Sequence, residues 1–568
     1  MENLVLTIVA YCIFTIIGGI IATKFKQPSI MGLLLMGLLI GPHALNIAGD
    51  HSVTDFMIEI GAVLLLFLIG LEFSISRLRK VGFKAGVIGL VKVGIVIFLT
   101  FQISLLLGFD IATSLILGVI LSFSSTVVII KVLEQKAMIH RKEIPLLVAA
   151  LIVEDIIVVF LLAFFSTLGE GAVAGMQTAV FGLAVLSIVY WILSKTLKKI
   201  VTWTLKNSTD DITPYLALGL CGALSYGAYL LHLSPTIGAF LAGSVIASLP
   251  QNKSFIRATT PYVMMATSLF FIAMGTLVNI ETVVENAWLI LGLLAGVLIV
   301  RYVAISVITS VVANFRSEQA AFFSVAMFSV GEFSLLIARQ ASSLTSLDVI
   351  SIAAAIVFIS SFLMIFFIPE SNRFSHLIIM PQRYQKRLYH LSGTVKSLLE
   401  GLDTDSRAST LFKRRSAEAI RFGIGAILVG ALVPLGLQWE RIPALARIIG
   451  YCLAGFVVAA LLVKAGKRSK EAFEYLVNIY TSIEVTRQPH QARHILLRLI
   501  SGAIFFALAI YSPFLLFTLE LPIWSLATGY ILIFISASLV RKVTGKMKVG
   551  ITTIPKQRYF DRIKAKPF

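Results

Sequence analysis

Charged residues are scarce in this chain. Of its 568 residues only 14% are Asp, Glu, Lys or Arg, while 58% are hydrophobic. A typical soluble globular protein has about 25% charged residues, so this composition excludes that class and predicts a polytopic membrane protein. Only three cysteines occur, all in apolar stretches and without CxxC or Cys/His spacing. We therefore expect neither a disulfide framework nor a metal site.

Nucleotide-binding motifs are also missing. Neither GxGxxG after a strand nor GxxxxGK[ST] is found, so we predict no cofactor and no enzymatic activity. The net charge of +19 does not indicate a nucleic-acid partner, because most Lys and Arg lie between apolar segments or in the C-terminal third. The anionic inner surface of a membrane is a sufficient partner for them.

Apolar segments long enough to cross a bilayer recur from Leu4 to Ile368. We count about thirteen, centred near residues 13, 35, 65, 96, 121, 153, 186, 222, 242, 271, 299, 328 and 357. Their connections alternate between basic ones and ones without Lys or Arg. The positive-inside rule then predicts a multi-pass protein of the plasma membrane, with the N-terminus outside and the C-terminus in the cytoplasm.

An internal repeat relates the two halves of these spans, about residues 1–166 and 210–370. An offset of about 206 residues places Gly37 against Gly243, Gly70 against Gly275, and the Ser124–Thr126 segment against residues 329–333. Close helix packing by small residues is the alternative explanation for the glycines. Six helices per half with a seventh between them give the inverted repeat of secondary transporters, in which two broken helices line the substrate site. We expect these to be the fifth and twelfth spans.

The composition changes after Pro369. We predict an antiporter-like membrane domain over residues 1–370, a basic cytoplasmic linker over 371–418, and a basic cytoplasmic tail over 542–568. Between linker and tail, residues 419–541 form an additional membrane domain with about four spans, near 429, 456, 508 and 532. The sequence does not indicate what these extra spans do.

Two adjacent carboxylates, Glu154 and Asp155, lie in the otherwise apolar stretch LIVEDIIVVFLLAFF. Each costs roughly 2.5–3.5 kcal/mol at the centre of a membrane helix, so the pair predicts an ion and proton site. Neighbours on a helix point about 100° apart. We expect Asp155 to face a water-filled cavity and Glu154 to face Arg301. The alternative is that both carboxylates only hold the fold together through ion pairs.

Other polar residues in the spans have a functional and a structural interpretation. Arg301 needs a partner or reaches an interface, and Lys92 is close enough to the cytoplasmic end of its helix that we expect its ammonium to lie at the membrane surface. Glu332 either pairs with a cation such as Lys92 or Lys131, tunes the cavity, or is structural.

Hydroxyl groups near the fifth span are the remaining candidates. Ser125 and Thr126 suit cation coordination, although hydrogen bonding back to helical carbonyls is common for such residues. They are of interest because the repeat places Glu332 opposite them.

Seven stretches together resemble the Kef-type branch of the monovalent cation:proton antiporters, in order and spacing over about residues 1–370. They are GLLLMGLLIGP (32–42), LLLFLIGLEFS (64–74), SFSSTVVIIKVLEQ (122–135), VEDIIVVFLLAF (153–164), SPTIGAFLAGSVIAS (234–248), LFFIAMGTLV (269–278) and VGEFSLLIA (330–338). The resemblance implies a core domain that carries the ion, a dimerisation domain, elevator-like alternating access and a homodimer. It also implies that Asp155 is the essential aspartate and Arg301 the basic residue of the eleventh span.

Two departures from the family pattern limit this inference. Glu154 stands where related proteins usually have Gln or Asp, which leaves the ion and the stoichiometry open. The C-terminal nucleotide-binding domain common in this branch is not expected here.

We therefore predict a secondary transporter that exchanges K+ or Na+ for H+, with Asp155 as the carrier. A gated potassium efflux channel and a membrane sensor built on a transporter scaffold are the alternatives.

Overall fold

The structure is a computed structural model of the chain. It describes residues 2–377, with gaps at 49–50, 73–74, 168–181, 232 and much of 183–211, together with 409–419, 421–422, 444–483 and a few isolated positions beyond. The regular secondary structure of these residues is helical, and one isolated β-bridge joins Ser124 to Val330. Outside the described residues lie nearly all of the predicted spans near residues 429, 508 and 532, part of the span near 186, and the basic tail.

The helices that matter for the site are numbered here in chain order. They are α1 (Glu2–Lys24), α2 (Ser29–Ile40), α3 (His51–Glu72), α4 (Ile75–Leu106), α5 (Ile111–Ile120), α6 (Thr126–Gln135), α7 (Ile144–Thr167), α8 (Ile212–Leu230), α9 (Pro235–Ala247), α10 (Asn252–Thr276), α11 (Ile280–Glu285), α12 (Ala287–Val312), α13 (Ser317–Ala326), α14 (Phe333–Ala341), α15 (Val349–Phe367) and α16 (Ala444–Ile483).

Helix length and composition make this a multi-pass membrane protein. Seven helices in the described part of the chain are long and apolar enough to cross a bilayer, and α2, α5 and α9 are shorter apolar helices. The coarse prediction of an all-α polytopic membrane protein is thereby confirmed. Helix α5 has ten residues, which cover about 15 Å at 1.5 Å per residue, or half the hydrocarbon thickness.

The helices pack as two groups. In the first, α3 packs against α9 and α10, which in turn contact α8 and α2, and α1 packs on α2. In the second, α4 packs against α5, α7 and α12, while α14 packs against α5, α7 and α15. Contacts between the groups are fewer, for example between α7 and α9. The site described below lies within the second group.

Glycines allow close helix contacts in the first group. A Cβ atom added to Gly37 of α2 would lie 2.0 Å from the carbonyl oxygen of Ile272, beside Gly275 of α10. A Cβ on Gly243 of α9 would lie 2.2 Å from the carbonyl oxygen of Phe67, beside Gly70 of α3. The repeat offset exchanges these two contacts, since it relates Gly37 to Gly243 and Gly70 to Gly275.

Helix α16 is a single helix of 40 residues. It contains the predicted span near residue 456 and continues through the basic residues Lys467–Lys470. Its polar half forms ion pairs with the helical residues 409–419: Arg415 Nε lies 3.1 Å from Glu471 Oε2, and Arg468 Nε lies 3.1 Å from Glu418 Oε2. The end of the predicted linker thus packs on this helix.

Candidate ion-binding site

Two non-helical segments meet in the middle of the second helix group. One runs from Leu121 to Ser125, between α5 and α6, and the other from Met327 to Glu332, between α13 and α14. The backbone N–H of Ser125 donates to the Ser329 carbonyl over 3.2 Å, and that of Gly331 donates to the Phe123 carbonyl over 3.0 Å. We call this meeting of the 121–125 and 327–332 segments the crossing. A shift by the repeat offset turns each of its two hydrogen bonds into the other, so the crossing has approximate two-fold symmetry.

Arg301 of α12 satisfies the carbonyls of this crossing. Its side chain is 0% exposed. Nη2 donates to the carbonyls of Leu121 and Phe123, both over 2.7 Å, and Nη1 donates to those of Met327 (2.8 Å) and Ser329 (3.1 Å). These acceptors follow the C-terminal ends of α5 and α13, where carbonyls lack helical partners and carry partial negative charge.

The predicted pairing of Arg301 with Glu154 is therefore wrong. A guanidinium has five N–H donors in a fixed fork, and carbonyls of the two crossing segments accept from both Nη1 and Nη2 of Arg301. The C-terminal ends of α5 and α13 meet here, and together they need a cation more than a single carboxylate does.

Lys92 of α4 is the partner of Glu154. Its Nζ lies 2.8 Å from Glu154 Oε2 and also donates to the Ser122 carbonyl (2.6 Å) and to Ser124 Oγ (2.9 Å). Lys92 is 0% exposed and Glu154 1% exposed. The expectation that the ammonium of Lys92 reaches the membrane surface is wrong, because three oxygens satisfy it inside the protein.

Glu154 also binds the first crossing segment, since its Oε2 accepts from the backbone N–H of Ser124 over 3.0 Å. Asp155, the next residue of α7, is only partly buried and lies within electrostatic range of Lys92. The two carboxylates thus differ in environment, as their 100° separation on the helix predicts.

Glu332 lies at the N-terminus of α14 and is 4% exposed. Its Oε2 accepts a hydrogen bond from Ser125 Oγ over 2.7 Å. Ser125 in turn caps α6 by accepting from the backbone N–H of Val128 over 3.3 Å. A pairing of Glu332 with Lys92 is excluded, because Glu154 holds that ammonium, and Lys131 is exposed.

Two serines on α15 were missed by the sequence reasoning. Ser360 Oγ accepts from the backbone N–H of Val330 over 2.9 Å, and Ser361 Oγ lies 2.9 Å from Ser329 Oγ. Their adjacency in the apolar stretch IVFISSFLMIFF is the signal that would have found them. They anchor the second crossing segment.

A separate cavity of about 710 Å³ lies between the two helix groups. Its lining comes from α3, α7, α8, α9 and α14 and includes Glu59, Phe165, Tyr229 and Arg339. Arg339 forms an ion pair with Asp55 of α3, and Gln340 Nε2 donates to Ser234 Oγ over 3.1 Å. The C-terminal turn of α14 is thus joined by side chains to the first helix group.

A comparison with protein families places this arrangement. The family model described as "Sodium/hydrogen exchanger, transmembrane" matches residues 10–369. The chain belongs to this family. The predicted membership of the monovalent cation:proton antiporter superfamily is thereby confirmed. The matched region of this exchanger-family chain contains the paired carboxylates, the crossing and the cavity.

Curated relatives agree with this assignment. K(+) efflux antiporter 5 of Arabidopsis thaliana is 28% identical over 357 residues, covering 60% of this chain and 61% of the relative. K(+)/H(+) antiporter subunit KhtU of Bacillus subtilis is 25% identical over 354 residues, covering 60% of this chain and 86% of the relative. The chain thus spans about 61% of the length of the Arabidopsis protein.

A solved structure supports the fold. The sodium proton antiporter MjNhaP1 from Methanocaldococcus jannaschii superimposes with a TM-score of 0.51 at 15% identity, covering 66% of this chain and 99% of MjNhaP1. At this identity the similarity concerns the fold alone.

Proposed function

We propose that this exchanger-family protein moves a monovalent cation, K+ or Na+, across the plasma membrane in exchange for H+, with Asp155 as the shared carrier. The observation that carries the proposal is the different environment of two adjacent carboxylates. Glu154 is fully buried and neutralised by Lys92, whereas Asp155 is partly exposed next to it. A carboxylate kept at membrane depth beside a satisfied ion pair is expensive, and in transporters such groups mark the ion pathway.

The oxygens around the crossing suit a cation. Among the described residues, Thr126 Oγ1 and Glu154 Oε1 are buried without a hydrogen-bond partner. Ser125 Oγ lies on the same segment, next to the residue that Glu154 binds. We propose that these three oxygens and the Asp155 carboxylate replace the hydration shell of the cation, as oxygen ligands do in channels. A proton and a cation then compete, because each neutralises Asp155.

The helix arrangement supports alternating access. We propose that α5 with α6, and α13 with α14, are the two discontinuous membrane helices of an inverted repeat. The second helix group would carry the ion and move against the first group, which would provide a homodimer contact. The outside N-terminus, the cytoplasmic C-terminus and the limits of the exchanger domain at residues 1–370 belong to the same proposal.

The test is transport by the Asp155→Asn variant in proteoliposomes that contain a pH-sensitive dye. We expect K+ or Na+ to collapse an imposed pH gradient with the wild type and not with the variant, because an amide neither binds a proton nor neutralises a cation. Asp348→Asn is the matched control. Asp348 caps α15 by accepting from the backbone N–H of Ser351 over 3.1 Å, which an asparagine also does.

Full activity in Asp155→Asn would refute the proposal. Cation flux in the wild type that follows the membrane potential and ignores the proton gradient would instead indicate a channel. Comparing Li+, Na+, K+ and Rb+ in the same assay identifies the transported cation.

A further inference from the structure

Glu332 is a buried carboxylate with no role in the exchange described above. It is 4% exposed, and its Oε2 accepts from Ser125 Oγ over 2.7 Å. Within the described part of the chain it forms no ion pair. This carboxylate lies in the second helix group, which we propose moves during transport. Whether it is ionised therefore changes the total charge of that group by one unit.

The charge of the other groups at the crossing follows from their pairing. Lys92 and Glu154 lie 2.8 Å apart and sum to zero whichever of them holds the proton. Arg301 contributes one positive charge in every state, because a guanidinium is not deprotonated in proteins. Asp155 contributes one negative charge when empty and none when it holds H+ or a monovalent cation.

The net charge of the site is therefore the sum of the charges on Arg301, Asp155 and Glu332. With a neutral Glu332, the empty site has zero charge and the loaded site is positive. With an ionised Glu332, the empty site is negative and the loaded site is neutral with either ion. Only the second case lets the loaded form cross the bilayer easily and holds back the empty form, because a net charge inside a bilayer is costly.

We propose that Glu332 carries the counter-charge to Arg301 and thereby makes exchange obligatory and electroneutral. This inference rests on the proposed function and deepens it by assigning the residue that sets the coupling. Glu332 acts through the charge of the moving group and does not touch the ion, so it is a positioning residue for the site.

Two features of the local structure offset the cost of burying an ionised Glu332. The N-terminal ends of α6 and α14 meet at the Ser125–Glu332 hydrogen bond, and N-terminal helix ends carry partial positive charge. A hydroxyl that donates to a carboxylate makes a stronger hydrogen bond than one that donates to a neutral acceptor. Arg301 occupies the opposite, C-terminal ends of α5 and α13. The two charges thus sit at the helix ends that favour each of them.

The experiment compares Glu332→Gln and Glu332→Asp with the wild type in proteoliposomes. The readouts are dye-detected exchange and the current evoked on a solid-supported membrane by a jump in cation concentration. Gln still accepts from Ser125 but removes the charge. We expect its exchange rate to fall at least tenfold and a cation-evoked current to appear, because the empty site can now return. Asp retains the charge and should exchange without a current, as should the wild type.

Glu143→Gln is the matched control. Glu143 is also 4% exposed, but it precedes α7 and bonds to Arg141 Nε over 3.3 Å, away from the crossing. Glu143→Gln should therefore show no current, like the wild type.

Three results would overturn the inference: wild-type exchange rates without current in Glu332→Gln, a sustained exchange current in the wild type, or a current in Glu332→Asp equal to that in Glu332→Gln. A sustained current in the wild type would overturn the inference even if Glu332→Gln failed to fold. None of these results affects the Asp155→Asn test, so failure of this inference is distinguishable from failure of the proposed function.

Discussion

Removing Lys92 should destabilise the protein more than removing its partner. In Lys92→Met the Glu154 carboxylate stays 1% exposed and keeps only the Ser124 backbone N–H as a donor for Oε2. Breaking a buried ion pair from one side costs about 3–5 kcal/mol, because a buried charge is left without compensation. We expect a loss in this range in the free energy of unfolding.

The reverse deletion should be milder. In Glu154→Gln the ammonium keeps the Ser122 carbonyl at 2.6 Å and Ser124 Oγ at 2.9 Å, and the new amide oxygen can still accept from it. The expected cost is that of a weakened charged hydrogen bond, about 1–3 kcal/mol. The double variant combines Lys92→Met with Glu154→Gln, and in it neither charge is left alone. Its loss in the free energy of unfolding should therefore be smaller than the sum of the two single losses by at least about 2 kcal/mol.

The assay is reversible unfolding by SDS in mixed micelles, followed by circular dichroism, on the wild type and the three variants. A double-mutant cycle isolates the Lys92–Glu154 coupling. Additive losses, or a loss below about 1 kcal/mol in Lys92→Met, would refute the view that this pair carries compensated charge inside the membrane.

Two further predictions concern stability. Gly243→Ala should lower the free energy of unfolding by roughly 1–3 kcal/mol through overpacking, because the new Cβ would lie 2.2 Å from a backbone oxygen of α3. Gly292→Ala is the control and should not destabilise, because nothing lies within 4 Å of its Cβ position. Equal thermal melting of both variants in detergent would contradict this. Asp110 caps α5, and although burial alone would raise the pKa of its carboxyl, hydrogen bonds from Thr113 and Ala112 outweigh burial and hold the pKa below its usual value. Asp110→Ala should therefore cost about 1 kcal/mol at pH 7, and the difference from the wild type should shrink as pH falls below the ordinary aspartate pKa of about 3.9; a difference that grows towards acid pH would show that the cap is not ionised.

The sequence alone indicated where charge enters the membrane. Two acids in LIVEDIIVVFLLAFF and a lone Arg301 stand out because the surrounding residues are apolar. The repeat offset also singled out two segments that meet, since it places Ser124 against Val330, and the structure joins these two residues in a β-bridge. Such local and periodic patterns are visible in a linear chain.

The partner of each charge was not predictable in the same way. Arg301 was assigned to Glu154, and Lys92 to the membrane surface, because a sequence shows the depth of a residue along its helix but not the side to which it points. Packing of α4 and α12 against the crossing brings Lys92 to Glu154 and Arg301 to the carbonyls of Leu121 and Met327.

Sequence thus determined the membrane class and the residues that carry charge, since burying an ionisable group leaves a visible exception in an apolar pattern. Tertiary structure decided how those charges are balanced. Pairing depends on distances of about 3 Å between helices that are far apart in the chain, and these distances arise only when the helices pack.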